Sequence, residues 1–143
     1  MRRYLGTPEE IDFAEVNQIL TDFHAGAASL RLKRFGREET EIWYDDVDFR
    51  DTQVLLVEWT HGNSRFLEGV DLPVYLYCTP QETLAQRLER NRDGAADSPF
   101  VTMVLGIEQE SLLAQAHKAG LLVLLNGDIV SYGTFRATLE DSK

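Results

Sequence analysis

Three short runs of apolar residues most constrain how this chain can fold. They span residues 53–58, 73–78 and 121–125, and each is nearly continuous instead of alternating with polar residues. A continuous apolar run predicts a strand that is buried on both faces, as in a parallel sheet covered by helices. Stretches with helical spacing separate the runs. The order of elements therefore predicts an α/β fold, with a three-layer parallel sheet and flanking helices.

Capping signals mark the expected helix starts. Residues 7–10 read Thr-Pro-Glu-Glu, which predicts an N-cap, a proline in the first turn and a closed capping box, and Asp12 offers a second, later start. Residues 79–82 repeat the signal, and Ser98 precedes a proline at a third start. Gly26 is placed to end the first helix. The helix after Ser98 is predicted to bury Val101, Val104, Leu105, Leu112 and Leu113.

A small β-hairpin is predicted over residues 27–45, because apolar and basic side chains alternate on both sides of Gly36. The acidic run at 45–48 that follows predicts a solvated loop. A metal site is the alternative, but no Gly and Glu follow at the spacing of a calcium loop. Near the end of the chain, Asn126 and Gly127 predict a tight turn.

Composition limits the classes of partner. The 143 residues show no repeat and no linker, so residues 1–143 are expected to form one domain. The chain has 14 basic and 24 acidic side chains, which give a net charge of −10. This charge disfavours binding to nucleic acid and to anionic membranes. The longest apolar run, 121–125, is too short to cross a bilayer, and the first residues do not resemble a signal peptide. A single cysteine, Cys78, fits a reducing compartment, which predicts a cytoplasmic protein.

Phosphate-binding motifs are absent from the 143 residues. None of the ten glycines is followed by lysine, so the pattern GxxxxGK[ST] does not occur, and GxGxxG does not occur either. The chain therefore lacks the backbone cradle and the lysine that hold nucleotide phosphates in many α/β enzymes.

Two polar residues lie at the end of the first apolar run and just after it. Glu58 ends it, at the position where a carboxylate often helps to hold Mg²⁺, although a solvated strand end explains it equally well. His61 lies in the next loop, where α/β sheets commonly place ligands, and it is either a substrate contact or a solvated loop histidine. His24 and His117 have no Cys or Asp at ligand spacing, so no metal site is predicted.

An arginine-rich segment is the third polar feature. Arg87, Arg90 and Arg92 lie within six positions in residues 87–98. They are either charges that favour the last turn of a helix, or part of a lid that closes on phosphates.

Several segments, taken in order, resemble the uridine kinase and phosphoribulokinase family. In that family a buried strand ends in Glu, as at 54–60, a second strand resembles 70–76, and an arginine-rich lid resembles 87–93. Residues 98–108 resemble the helix after the lid, and residues 2–26 resemble the segment before the hairpin.

The resemblance implies a P-loop-kinase-like fold, ATP and Mg²⁺ as cofactors, and phosphoryl transfer to a hydroxyl of a small-molecule substrate. By the same resemblance the site residues are Glu58, Arg87, Arg90 and Arg92 on the catalytic side, with Asp12, Arg31 and His61 on the substrate side.

The family's first strand and phosphate loop have no counterpart in the 143 residues. The fold is therefore expected to be incomplete at its N-terminal side and inactive alone. A homodimer is expected to cover the apolar surface that the absent unit leaves open. A non-catalytic binding or interaction domain derived from that fold is the alternative.

Overall fold

The computed structural model describes residues 6–38, 40–90 and 98–141, and within them the chain forms four α-helices and five strands. The strands belong to two sheets. An antiparallel hairpin pairs β1 (Ser29–Phe35) with β2 (Ile42–Asp48), and a three-stranded sheet has the order β3 (Val74–Tyr77), β4 (Leu121–Leu124), β5 (Ile129–Val130). Strands β3 and β4 run parallel, whereas β4 and β5 run antiparallel. The α/β class predicted from the sequence is confirmed.

Asp12 is the N-cap of the first helix, because its Oδ1 accepts the backbone N–H groups of Ala14 at 3.1 Å and Glu15 at 3.2 Å. The earlier start predicted at residues 7–10 is wrong: that segment is a turn in which Glu10 N–H donates to the Thr7 carbonyl at 3.0 Å. The helices are α1 (Phe13–His24), α2 (Pro80–Arg90), α3 (Pro99–Gln115) and α4 (Tyr132–Asp141).

The start predicted at Ser98 is confirmed, since its Oγ accepts the Val101 N–H at 3.2 Å. A 3₁₀ turn, Ala116–Lys118, follows α3. Within the described residues, no helix has both the length and the apolar character needed to cross a membrane.

The predicted strand at 53–58 is absent. No strand in the described part of the chain pairs with this segment, so its backbone has no ladder to join. Val54 and Leu56 are 79% and 81% exposed. The expected parallel sheet of three strands is therefore wrong. Within the described residues, parallel pairing is limited to β3 and β4, and β5 joins β4 through a turn at Gly127, whose φ is +89°.

The predicted hairpin is present, but its second strand is longer than expected. The acidic run at 45–48 belongs to β2 and is not a loop. Cross-strand partners explain this, because Asp46 lies opposite Arg31 in the register and Asp45 accepts a hydrogen bond from Arg34 Nε at 3.3 Å.

The core forms where α4 and the end of α3 pack on the three-stranded sheet. Its buried members are Tyr75, Ala116, Leu122 and Phe135. Outside this core, Phe13 and Leu20 of α1 and Leu30 of β1 are also buried. The five side chains of α3 that were predicted to be buried are only half-buried, because a sheet of three short strands cannot cover a helix of 17 residues.

Candidate functional site

His61 is held in a tight turn directly after the apolar segment 53–58. Gly62 N–H donates to the Trp59 carbonyl at 3.1 Å, and Ser64 N–H donates to the His61 carbonyl at 2.9 Å. Ser64 itself is 6% exposed and anchors the end of the turn. Two successive backbone hydrogen bonds therefore fix where the imidazole lies.

The imidazole forms part of the wall of a cavity of about 30 Å³. Three parts of the chain line it: the turn before α1, the His61 loop and one face of α3. Its residues are Gly6, Glu10, Thr60, His61, Glu108, Ser111 and Leu112. A space of this size holds about one water molecule. It can therefore position a single polar group, such as one hydroxyl, but cannot enclose a whole substrate.

Nδ1 of His61 is buried and has no hydrogen-bond partner among the described residues. A buried polar atom without a partner costs about 1–3 kcal/mol, so such an atom beside a cavity marks a position for an incoming hydrogen-bonding group. Gly6 keeps this approach open. Its φ is +74°, and a Cβ there would lie 3.1 Å from Cε1 and 3.3 Å from Nδ1 of His61.

The other polar residues at the cavity are two with carboxylates, Glu10 and Glu108, and two with hydroxyls, Thr60 and Ser111. Glu10 Oε2 accepts the Gly6 N–H at 2.5 Å, which ties the turn before α1 to the site. Glu108 and Ser111 are three residues apart on α3 and so share one face of that helix. An imidazole beside carboxylates can accept a proton from a hydroxyl and can fix its direction. Among the described residues, no group of His, Cys, Asp and Glu is arranged to hold a metal ion.

An aromatic cluster packs against the ring of His61. The ring of Phe13 lies 5.3 Å from that of Trp59 and 5.4 Å from that of Phe66, and Trp59 meets the His61 ring edge-on at 5.6 Å. Because Phe13 follows Asp12, this cluster brings two of the predicted substrate-side residues, Asp12 and His61, into one region. Oδ1 of Asp12 is already engaged in capping α1.

The remaining predicted site residues lie elsewhere or outside the description. Glu58 is exposed and precedes the Trp59 turn. Arg31 lies on β1, where its guanidinium carbon stands 5.3 Å from the centre of the Tyr44 ring. Arg87 and Arg90 belong to the last part of α2, but their side chains are not described. Arg92 and most of the predicted lid lie in residues 91–97, outside the described residues.

Strand β3 leads into α2 through a well-formed capping box. Thr79 N–H donates to Glu82 Oε2 at 2.7 Å, and Glu82 N–H donates to Thr79 Oγ1 at 3.2 Å. The hydrogen bond from the Thr79 backbone is the main reason that the pKa of Glu82 is lowered. Burial raises the pKa of the neighbouring Cys78 thiol, which disfavours its thiolate form.

The sequence did not indicate that Glu10 and Ser111 belong to the site. Glu10 was interpreted as part of a capping box, and Ser111 carries no motif. They meet His61 only because the turn before α1 and the middle of α3 converge on its loop. The spacing of Glu108 and Ser111 on one helical face was the only local signal.

These features define a small α/β domain, with a separate hairpin and a polar cavity built around one histidine. No protein-family model matches the chain, and no solved structure matches it. The chain is similar to the bifunctional alpha-galactosidase/sucrose kinase AgaSK of Mediterraneibacter gnavus, with 49% identity over 129 residues. The match covers 90% of this chain but only 14% of the relative, so the chain spans a small part of that protein's length.

Proposed function

We propose that this chain belongs to a kinase and contributes the side of the active site that binds a small hydroxyl substrate. The observation that carries the proposal is the 49% identity over 129 residues to a protein named as a sucrose kinase. By that name, the acceptor is a sugar hydroxyl. Uridine, suggested by the resemblance of the motif order to uridine kinases, is the second acceptor to be tested.

The polar cavity supports a hydroxyl acceptor. Its size suits one hydroxyl group, and the buried Nδ1 of His61 offers that group a hydrogen-bond partner. Glu10 and Glu108 also line the cavity, and a carboxylate there can act as a base that accepts the proton of the acceptor hydroxyl. In this proposal His61 and Asp12 orient the substrate, and Arg31 contacts its far end.

The catalytic side of the proposal follows the uridine kinase and phosphoribulokinase resemblance. It includes a P-loop-kinase-like fold, ATP with Mg²⁺ near Glu58, and phosphates held by Arg87, Arg90 and Arg92. Phosphoryl transfer is mostly positioning and charge neutralisation, and both depend on a phosphate loop. Because the 143 residues contain no GxxxxGK[ST] motif, we propose that they do not transfer phosphate by themselves.

A homodimer in the cytoplasm is a further part of the proposal. The segment 53–58 makes no backbone–backbone hydrogen bond with other described residues, and its Val54 and Leu56 are exposed. Two copies related by a two-fold axis can pair these segments antiparallel around Leu55, which places Val54 opposite Leu56 of the other copy. In this register Glu58 faces Thr52, so no like charges meet.

A chimeric enzyme tests the kinase assignment. The stretch of the M. gnavus enzyme that matches this chain is replaced by the corresponding residues of this chain. Sucrose phosphorylation and α-galactosidase activity are then measured on the same purified protein. We expect both activities to be retained. His61→Ala in the chimera is expected to lower sucrose phosphorylation, whereas the matched control His117→Ala, whose ring binds the Ala114 carbonyl, is not.

The bifunctional host makes the outcomes distinct. Loss of sucrose phosphorylation with normal α-galactosidase activity would overturn the kinase proposal for this chain. Loss of α-galactosidase activity alone would show that the chain belongs to the hydrolase part of the relative, and would overturn the proposal as well.

A further inference from the structure

One face of the β1–β2 hairpin combines an exposed indole with a guanidinium and a carboxylate. In the strand register, Arg34 lies directly opposite Trp43, and Asp45 is two residues further along β2. Directly opposed residues share a face of an antiparallel pair, and so do residues two apart on one strand. The three side chains therefore project from the same face, near the end of the hairpin.

Two hydrogen bonds fix this group. Trp43 Nε1–H and Arg34 Nε–H both donate to Oδ2 of Asp45, each at 3.3 Å. The second carboxylate oxygen and the terminal nitrogens of Arg34 have no hydrogen-bond partner among the described residues. Trp43 is 47% exposed. The Trp43 ring is therefore open to solvent, and it lies next to a hydrogen-bond acceptor on Asp45 and a hydrogen-bond donor on Arg34.

The opposite face of the same hairpin is different. There the guanidinium carbon of Arg31 lies 5.3 Å from the centre of the Tyr44 ring, and Nζ of Lys33 lies 5.5 Å from the centre of the Phe35 ring. Each of these two rings therefore already has a cation of the chain near it, although Phe35 is still 69% exposed. No such cation covers Trp43 in the described part of the chain. Among the exposed rings of the hairpin, Trp43 is thus the one that no described cation of the chain occupies.

We infer that Trp43, Arg34 and Asp45 form a binding surface for the ring of a sugar. The C–H groups on one face of a sugar ring are weakly positive and match the negative face of an indole. Neighbouring hydroxyls on the ring edge both donate and accept, which suits Asp45 as acceptor and Arg34 as donor. This inference rests on the proposed function: it takes the sugar named there and assigns its ring to Trp43, Arg34 and Asp45, in place of the contact with Arg31 on the opposite face of the hairpin.

The two tryptophans of the chain allow a direct test, because each can report alone. The full chain is prepared as Trp59→Phe, which leaves Trp43 as the sole emitter, and as Trp43→Phe, which leaves Trp59. Sucrose is titrated into both, and binding is measured independently by ligand-detected NMR. We expect sucrose to shift the emission of the Trp59→Phe protein. Asp45→Asn in that background is expected to weaken binding about tenfold, as the loss of a hydrogen bond to a charged group does.

Phe35→Ala is the matched control, since it removes an exposed ring from the other face, and it should leave the sucrose affinity unchanged. Circular dichroism of each variant checks that the hairpin is folded. If NMR detects sucrose but the emission of Trp43 does not respond, the inference is overturned while the proposed function stands. If uridine binds and sucrose does not, the sugar assignment is overturned. If neither binds, the inference and the small-substrate part of the proposed function both fail.

Discussion

Phe135 is the side chain on which the packing of α4 depends most. It is 1% exposed, and its ring meets Tyr77 at 5.0 Å and Tyr75 at 5.9 Å, both edge-on. Tyr75 and Tyr77 lie on β3, so this one residue joins the last helix to the strand that leads into α2. Replacing Phe135 with alanine therefore removes both aromatic contacts and leaves a cavity.

The expected loss is about 3–5 kcal/mol of unfolding free energy, the usual cost of a buried Phe→Ala change. Two aromatic pairs, each worth about 0.5–1.5 kcal/mol, account for part of it. A domain has about 5–15 kcal/mol in total, so the variant loses at least a fifth of its stability. With a urea dependence of about 2 kcal/mol per molar, the midpoint should fall by roughly 2 M.

Urea unfolding followed by circular dichroism measures this shift. The matched control is Tyr132→Ala, which removes a ring from the same helix at a position that is 41% exposed. The control should stay within about 0.5 kcal/mol of the parent protein. A Phe135→Ala variant that lost less than about 1 kcal/mol would refute the reasoning, because a well-packed ring cannot be removed at so small a cost.

Three other changes test separate parts of the structure. Burial raises the pKa of Tyr75 to about 12, so the folded protein keeps a proton that the unfolded chain loses. This contribution to stability is fully present below about pH 10 and is lost as the pH rises towards 12. The urea midpoint of the Tyr75→Phe variant should therefore fall less steeply across that pH range than the midpoint of the parent protein. Ser98→Ala removes the cap of α3 and should cost about 1 kcal/mol in the same assay, whereas an unchanged midpoint would contradict the cap's contribution. Leu56→Asp should convert the proposed dimer, with twice the 16.3 kDa chain mass in light scattering, into a monomer, and a parent protein that is already monomeric would refute the dimer.

Local signals predicted most of the local structure, although the capping signal at residues 7–10 belongs to a turn. Asp12 and Ser98 cap helices as expected, because a cap depends only on the few residues around it. The alternation around Gly36 predicted the hairpin for the same reason. The acidic run at 45–48 was misjudged because composition favours a loop there, whereas the partner strand supplies Arg31 and Arg34 to balance its charge.

The segment 53–58 shows where sequence reasoning fails. Its side chains have strong strand propensity, yet a strand exists only when another backbone lies beside it. In the candidate site too, some residues could be predicted from the local sequence and others could not. His61 was predicted from its position after an apolar run, whereas its neighbours Glu10 and Ser111 are brought to it by contacts across 51 and 50 positions of the sequence, which no local pattern encodes.

The exposed segment 53–58 has a consequence for the colloidal behaviour of the protein. A short apolar stretch whose backbone is not paired with another strand can seed cross-β stacking between many molecules. Asp51 before the stretch and Glu58 at its end place charges that oppose stacking at both ends. The net charge of −10 also keeps molecules apart at neutral pH. The net charge falls towards zero as the pH approaches the pI of 4.7, so this repulsion between molecules weakens. Thioflavin T fluorescence should therefore rise on acidification towards that pH, and Val54→Lys should suppress the rise by keeping a charge within the stretch.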